Sequence, residues 1–300
     1  MKPLTYQCLQ MVLQEMSFIK RKELYAKCPA IRKIEERLGY RVDKMLISQY
    51  PERCAIHFEK FIIIIDLEDE TKKCCVTMTN NKTGITVKKS IDLEPEEAAE
   101  RLVTYILNRP GTIIQHLHLL VTPVCILKLD HPMTVINLSM YVDSEIPEEK
   151  SSWLKTTVPV KHLETRTVFR DDTMKTARSV LIPENVEIDG KILSEWEANK
   201  IIIQSPFPLE QVVTYCTSIV KSGRPIGFRC QSIIEPQNME IGTLDSLAGR
   251  LNARKTTWNG IKCVTIPLDN ASELNVHGNL DNLSDRLIIE VNEKGTAINR

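Results

Sequence analysis

The sequence predicts a mixed α/β (α+β) protein, in which a short N-terminal segment of three helices precedes a strand-rich domain with interspersed helices. Three observations lead to this prediction. Apolar residues recur at helical spacing through the first forty residues and again in two longer stretches further on. Short β-branched runs bounded by turn residues fill most of the remaining chain. Hydrophobic residues make up 42% of the 300 residues, which is enough for a core and argues against global disorder.

The N-terminal segment contains three helical patterns in close succession. The first begins behind Pro3 with Thr5 as its N-cap, and Ser17 caps the second. Pro29 ends the second pattern and opens the third, and Gly39 suits the C-terminal cap of the third. The apolar positions of the three patterns are Tyr6, Leu9, Val12, Leu13 and Met16, then Leu24, Tyr25 and Cys28, then Ile31, Ile34 and Leu38.

Helices of about ten residues each form only a small core of their own. Two interpretations of the first helix follow. Either one of its faces stays available for a partner, or that face packs on the rest of the chain.

This segment resembles an F-box, the three-helix unit that docks on the Skp1-type adaptor of a cullin ubiquitin ligase. Arg21 belongs to the matching positions. The resemblance implies that the residues that bind the adaptor are Pro3, Leu4, Leu9, Val12, Leu13, Met16, Leu24 and Cys28.

After Gly39 the pattern becomes extended. Phe61–Ile65 is entirely apolar and predicts a strand buried on both faces. Residues 73–79 and 85–91 predict a hairpin around the turn at residues 80–84.

A helix–strand unit follows the hairpin. Asp92 is its predicted N-cap, the sequence from Asn108 to Gly111 stops the helix, and the apolar stripe is Ala98, Ala99, Leu102, Val103 and Ile106. The strand that follows places Ile113, Leu117 and Leu119 on one side.

Short strand-like pieces then recur, and their spaced aliphatic residues are similar to a degenerate leucine-rich repeat. These pieces are Ile126–Leu129, Val135–Val142, Val158–Leu163 and Lys200–Ile203. The polar stretch Asp143–Ser152 between them predicts a surface loop.

A second helix–strand unit runs from Pro208 to Cys230 and indicates a degenerate duplication of the first. A short helix is predicted at Thr243–Leu251, and Asn259-Gly260 predicts a type I′ hairpin. Arg286–Val291 predicts a last strand, and Asn292–Arg300 a loose tail.

Three further runs extend the resemblance over nearly the whole chain: residues 107–111, residues 221–228 and residues 259–267. They are similar to the nematode F-box C family, which pairs an F-box-like start with a long domain of unknown function. The family implies a substrate-recruiting subunit of a Skp1–cullin–F-box ligase. Residues 1–38 are expected to bind the adaptor and, through it, a cullin, while residues 39–300 hold an unidentified protein target. These 262 residues are expected to unfold as one cooperative unit because no Gly/Ser/Pro-rich linker interrupts them.

No sequence motif predicts a catalytic, cofactor or metal site. The chain has no phosphate-binding glycine loop, zinc helix or nucleophile elbow. His116 and His118 project from the same face of a predicted strand. We expect them to face a partner rather than a metal, and an exposed face without a binding role stays open as the alternative.

Composition narrows the class of partner and the compartment. The 39 basic and 39 acidic residues balance, so no charge excess favours nucleic acid. The longest purely apolar run is too short to span a bilayer, and nine cysteines without a paired framework favour a reducing compartment. We therefore expect an intracellular protein, cytoplasmic or nuclear. Two alternatives stay open: a stand-alone protein-interaction domain without ligase association, and an enzyme whose site assembles only in the fold.

Overall fold

The computed structural model describes residues 6–50, 52–68, 73–120, 124–141, 154–168, 170–233, 243–279 and 286–299. The chain divides into two compact units, Met1–Lys161 and His162–Arg300. The predicted mixture of helices and strands is confirmed, with N-terminal helices ahead of a strand-rich region. The predicted helical segment belongs to the first unit, together with the first strands. Whether residues 39–300 unfold cooperatively stays a prediction. The predicted surface loop Asp143–Ser152 lies outside the described residues.

The first unit begins with helices α1 (Tyr6–Glu15) and α2 (Phe18–Lys27), a 3-10 turn (Pro29–Ile31) and α3 (Arg32–Glu35). Ser17 occupies the N-cap position of α2 with an extended backbone, as predicted, although its side chain makes no capping hydrogen bond.

The strands and later helices of the first unit are β1 (Arg41–Tyr50), β2 (Arg53–Phe58), β3 (Phe61–Leu67), β4 (Cys74–Asn80), β5 (Thr86–Ile91), α4 (Pro95–Leu107), β6 (Ile113–Leu120), α5 (Val124–Leu127) and β7 (Thr134–Tyr141). Their order in the sheet is β7-β6-β1-β2-β3-β4-β5. The strands β7, β6 and β1 run parallel, whereas β1 to β5 form an antiparallel meander.

The three parallel strands share one pattern of buried residues. In each strand the buried apolar residues stand at positions i, i+3 and i+5. This is the spacing of the strand in a leucine-rich repeat. The buried sets are Val42, Met45 and Ile47, then Ile114, Leu117 and Leu119, then Val135, Leu138 and Met140. Corresponding members are cross-strand partners, so they stack into three continuous apolar rows.

The second unit contains β8 (His162–Thr165), α6 (Asp172–Thr176), β9 (Ser179–Ile182), α7 (Gly190–Ser194), β10 (Lys200–Pro206), α8 (Leu209–Ser222), β11 (Arg229–Ile233), α9 (Thr243–Arg250), β12 (Arg254–Trp258), β13 (Ile261–Pro267), β14 (Ser272–Asn279), β15 (Arg286–Glu293) and β16 (Ile298–Asn299). Strands β8 to β11 lie in sequence order and run parallel. The antiparallel strands continue the sheet in the order β15-β14-β13-β12-β16.

The same repeat spacing recurs in the second unit. Its buried sets are Leu163 and Thr165, then Ala177, Val180 and Ile182, then Ala198, Ile201 and Ile203. Val180 pairs with Leu163 on one side and with Ile201 on the other. The leucine-rich-repeat character predicted from the sequence is therefore present as strand geometry in each unit.

Several local predictions are confirmed. Helix α4 buries the predicted Ala98, Ala99, Val103 and Ile106, and α8 is followed by Gly223 at a φ of 75°. Asn259 and Gly260 have φ values of 47° and 79°, as a type I′ turn requires.

Other predictions are wrong. Ile126–Leu129 overlaps the short helix α5 rather than a strand. Val158–Leu163 meets strand β8 only at its last two residues. Glu94, not Asp92, occupies the N-cap position of α4. Phe61–Ile65 is a strand, but only its alternate residues Ile63 and Ile65 are buried because β3 belongs to an antiparallel meander.

The predicted loose tail is ordered in part. Ile298 pairs with Thr257 on strand β12, and the Ala297 amide donates to the Glu273 Oε1 at 3.0 Å. Ala297 is buried, so this end of the chain packs on the antiparallel sheet.

Candidate functional site

The N-terminal helices form a small apolar core. Leu13, Ile31 and Leu38 are buried at its centre, and Leu9, Met16, Leu24, Cys28 and Ile34 pack against them. Five of the eight predicted adaptor-binding residues thus contribute to this core: Leu9, Leu13, Met16, Leu24 and Cys28.

The other predicted adaptor-binding residues lie elsewhere. Val12 is 46% exposed, while Pro3 and Leu4 lie outside the described residues. Helix α1 also exposes Tyr6 by 54% and Met11 by 66%, and neither belongs to the predicted adaptor-binding residues. A ten-residue helix with three exposed large apolar side chains offers surface of the kind found at interaction sites.

A buried carboxylate joins this segment to the sheet. The Tyr40 hydroxyl donates to Glu35 Oε1 at 2.7 Å, and Lys22 Nζ lies 3.0 Å from the same oxygen. Arg21 Nη2 lies 3.4 Å from Oε1, and Arg109 Nη1 lies 3.4 Å from Oε2. Arg21 and Glu35 are fully buried. These five residues are named the Glu35 cluster.

The arginines of the Glu35 cluster also bind main-chain carbonyls. Arg21 donates to the carbonyl of Gly39 at 2.7 Å and to that of Leu38 at 3.0 Å. Arg109 donates to the carbonyl of Glu35 at 2.9 Å. Glu35 is the last residue of α3, and Leu38 and Gly39 follow it, in a region where carbonyls lack α-helical partners.

Aromatic rings complete the cluster. The guanidinium carbons of Arg21 and Arg109 lie 4.2 Å and 4.5 Å from the centre of the Tyr40 ring. Phe18 at the start of α2 makes edge contacts with Tyr40 at 4.9 Å and with Phe58 of β2 at 4.8 Å. The helical segment is therefore attached to β2 by apolar contact and to the α4–β6 connection by Arg109.

Hydrogen bonds and nearby cations stabilise the negative charge of Glu35. Burial alone raises the pKa of Glu35, but hydrogen bonds from Tyr40 and Lys22 and the charge of Arg109 outweigh burial and hold that pKa below its ordinary value. Burial and the hydrogen bond to Glu35 raise the pKa of Tyr40. Glu35 is consequently an ionised carboxylate facing three cations at neutral pH.

Gly39 has a different role from the predicted helix cap. Its φ is not positive, and a Cβ at this position would lie 2.3 Å from the Thr112 amide nitrogen. The Gly39 amide donates to the carbonyl of Pro110 at 3.0 Å. Gly39 is required because two backbone segments approach closely here.

The Glu35 cluster is absent from the predicted site residues, although the sequence contains a signal for it. Arg21 lies three residues before Leu24 and seven before Cys28, on the apolar stripe of its helix. Glu35 lies four residues after Ile31 on the stripe of the next helix. A charge within each of two facing apolar stripes, with opposite signs, predicts a buried ion pair.

The two predicted partner-facing histidines lie on β6. His116 is exposed and its Nδ1 lies 3.3 Å from Asn137 Nδ2, while His118 is half-buried. His118 and the exposed His57 of β2 are both cross-strand neighbours of Leu46. Within the described part of the chain, no three potential metal ligands lie together.

A second buried acid lies on the antiparallel strands of the second unit. Glu290 Oε1 is 3.1 Å from His277 Nε2 and accepts from Asn292 Nδ2 at 3.2 Å. Arg229 Nη1 lies 3.7 Å from Glu290 Oε2. These four residues are named the Glu290 cluster. Cys263 is the cross-strand partner of His277, but burial raises the pKa of its thiol, which disfavours the reactive thiolate.

Comparison with known proteins gives no match: no family model, no curated protein and no solved structure is similar to the chain. None of the described helices is long and apolar enough to cross a membrane.

Proposed function

We propose that the chain is the substrate-recruiting subunit of a Skp1–cullin–F-box ubiquitin ligase. Its N-terminal helices bind a Skp1-type adaptor, and the strand-rich remainder holds a protein target. A subunit of this kind needs no catalytic groups because the ubiquitin chemistry belongs to other subunits. The F-box resemblance of residues 1–38 is the origin of this proposal.

One observation carries the proposal furthest. The N-terminal helices complete their own core around Leu13, yet α1 still exposes Tyr6, Met11 and Val12. The Glu35 cluster fixes the same helices to the sheet of the first unit. A docking helix needs this combination, since apolar surface must be available and must be held in a defined orientation.

The expected loss of adaptor affinity follows from the number of apolar side chains of α1 that contact the adaptor. Fully burying one apolar side chain contributes about 1.5–3 kcal/mol. Losing two such contacts from an interface weakens binding by about two orders of magnitude or more. Introducing an unpaired carboxylate at the interface costs more than losing the apolar contact.

The test is copurification of a Skp1-type adaptor and a cullin of the same organism. Val12→Asp is the variant and Val158→Asp is its matched control, because both valines are 46% exposed and receive the same charge. We expect Val12→Asp to lose the adaptor and Val158→Asp to retain it, with equal unfolding midpoints.

The alternative function is a protein-interaction domain without ligase association. In that case neither variant changes adaptor recovery, because the wild-type chain itself recovers none. Pro3→Ala combined with Leu4→Ala gives a second test, since the F-box resemblance places both residues at the adaptor. Hydrogen-exchange protection of residues 39–300 separates lost binding from unfolding.

A further inference from the structure

Strand β5 is the edge strand of the sheet in the first unit, and β4 is its one neighbour among the described strands. All of its residues are exposed except Ile91, which is half-buried. An edge strand has a row of unpaired main-chain groups, and proteins usually shield such a row from other chains.

The outward main-chain groups of β5 can be assigned. The Asn80 amide donates to the Ile85 carbonyl at 2.9 Å, so these two residues form a hydrogen-bonded pair. Hydrogen-bonded pairs alternate along an antiparallel ladder. The amides and carbonyls of Thr86, Lys88 and Ser90 therefore point away from β4, and they are the groups that an added strand would bind.

Exposed apolar side chains lie on one face of the hairpin beside this row. Ile85 is 64% exposed and Val87 54% exposed, and the cross-strand partner of Val87 is Met78, which is 38% exposed. Apolar side chains next to unpaired main chain are the combination that accepts an extended peptide as an additional strand.

The positive charge of the hairpin favours an acidic partner. Residues 73–91 contain four lysines and no aspartate or glutamate, in a chain whose net charge is zero. Lys88 is paired with Glu68 at 2.7 Å, and Lys89 is exposed beside Val87. Two copies of this hairpin would repel each other across a shared edge, whereas an acidic strand is attracted.

We propose that β5 binds an extended acidic peptide by strand addition, with apolar residues of the peptide beside Ile85 and Val87 on one face and acidic residues near Lys88 on the other, while Lys89 adds to the positive charge of the edge. The inference rests on the proposed function only in identifying such a peptide as part of a recruited target. Its test involves no adaptor, so the two proposals fail separately.

The probe is a fluorescein-labelled peptide of about ten residues with alternating glutamate and valine, measured by fluorescence anisotropy with the full-length chain. A peptide with lysine in place of glutamate is the charge control. We expect saturable binding of the acidic peptide that weakens with added salt, and at least tenfold weaker binding of the lysine peptide.

Ser90→Pro removes one outward amide without changing charge, and edge positions of this kind tolerate proline. Its matched control is Ser90→Ala. We expect at least a tenfold loss of affinity for Ser90→Pro, less than a twofold change for Ser90→Ala, and a several-fold loss for Lys89→Glu.

Methylated peptides test the same contact without altering the protein. One peptide carries N-methyl groups on its valines and another on its glutamates, so that each loses the donors of one edge. We expect one of the two to lose binding and the other to keep it. Absence of saturable binding to folded protein, equal binding of both charge types, or equal binding of both methylated peptides overturns the proposal. A dimer that Ser90→Pro abolishes also overturns it, because the occupant is then a second copy.

Discussion

The Glu35 cluster and the Glu290 cluster each bury a glutamate, but they compensate its charge differently. Glu35 faces two arginines and a lysine from other elements, and both arginines are themselves held by main-chain carbonyls. Glu290 faces a histidine on the next strand and Arg229, whose side chain is 46% exposed. The first cluster connects helices to a sheet, whereas the second joins side chains of neighbouring strands within a sheet.

This difference has consequences for stability and for function. A carboxylate surrounded by fixed cations cannot be removed without leaving buried positive charge. A carboxylate beside a partly exposed arginine leaves a cation that water can solvate. We therefore expect the Glu35 cluster to control both the stability of the first unit and the orientation of its helices, and the Glu290 cluster to affect stability alone.

The largest expected effect is that of Glu35→Gln. The variant leaves Arg21, Lys22 and Arg109 without a counter-charge, and removing one partner of a buried ion pair costs about 3–5 kcal/mol. Chemical denaturation measures the loss. Glu23→Gln on the exposed side of α2 is the control and should change stability by less than about 0.5 kcal/mol. Equal stability of the two variants would contradict the assigned role.

Gly39→Ala disturbs the same cluster from the backbone. The added Cβ meets the main chain at 2.3 Å, and the Gly39 carbonyl is a partner of Arg21. Overpacking of this kind costs about 1–3 kcal/mol. Gly249→Ala in α9 is the opposite case, because no atom lies within 4 Å of the new Cβ. We expect it to raise the free energy of unfolding by up to about 1 kcal/mol, the helix preference for alanine.

Glu290→Gln has a smaller expected effect. The amide retains an acceptor oxygen for His277 and Asn292, and Arg229 can turn to water. A loss of about 1 kcal/mol is expected, the size of one hydrogen bond. Adaptor copurification should be unchanged in this variant. A loss as large as that of Glu35→Gln would show that the two clusters are equivalent.

The smallest expected effect near neutral pH is the change of unfolding free energy with pH. The pKa of Glu35 is held below its ordinary value of 4.5, so its contribution is fully present above that value and is lost as pH falls through the folded-state pKa. The stability difference between wild type and Glu35→Gln should be constant from pH 7 to about pH 5 and should shrink in stronger acid. Unfolding free energies measured across this range check the sign. A difference that grows on acidification would contradict it.

Periodicity and turn chemistry predicted much of the fold. Val103 and Ile106 identify α4, and Asn259-Gly260 identifies its hairpin, because local spacing and backbone preference determine both features. The apolar positions of the N-terminal helices were also correct, since they pack on one another. Local patterns could not predict the role of a residue when that role depends on contacts with residues far away in the sequence. Gly39 matches a helix cap by position, yet its requirement comes from Thr112.

The candidate site was predictable only in part for the same reason. Arg109 is 74 residues from Glu35 in sequence, so no local pattern pairs them. Ile126 belongs to an apolar run that is too short for periodicity to separate strand from helix. The row His118–Leu46–His57 became visible only when β1, β2 and β6 were placed in register.

We propose that the N-terminal helices, held by the Glu35 cluster, form a docking surface for a Skp1-type adaptor. The most direct measurement is titration of the purified full-length chain with purified Skp1-type proteins of its own organism by calorimetry. The account predicts saturable binding with one adaptor per chain, lost in Val12→Asp and retained in Val158→Asp. Well-folded wild-type chain that binds no such adaptor at micromolar concentration would contradict the claim.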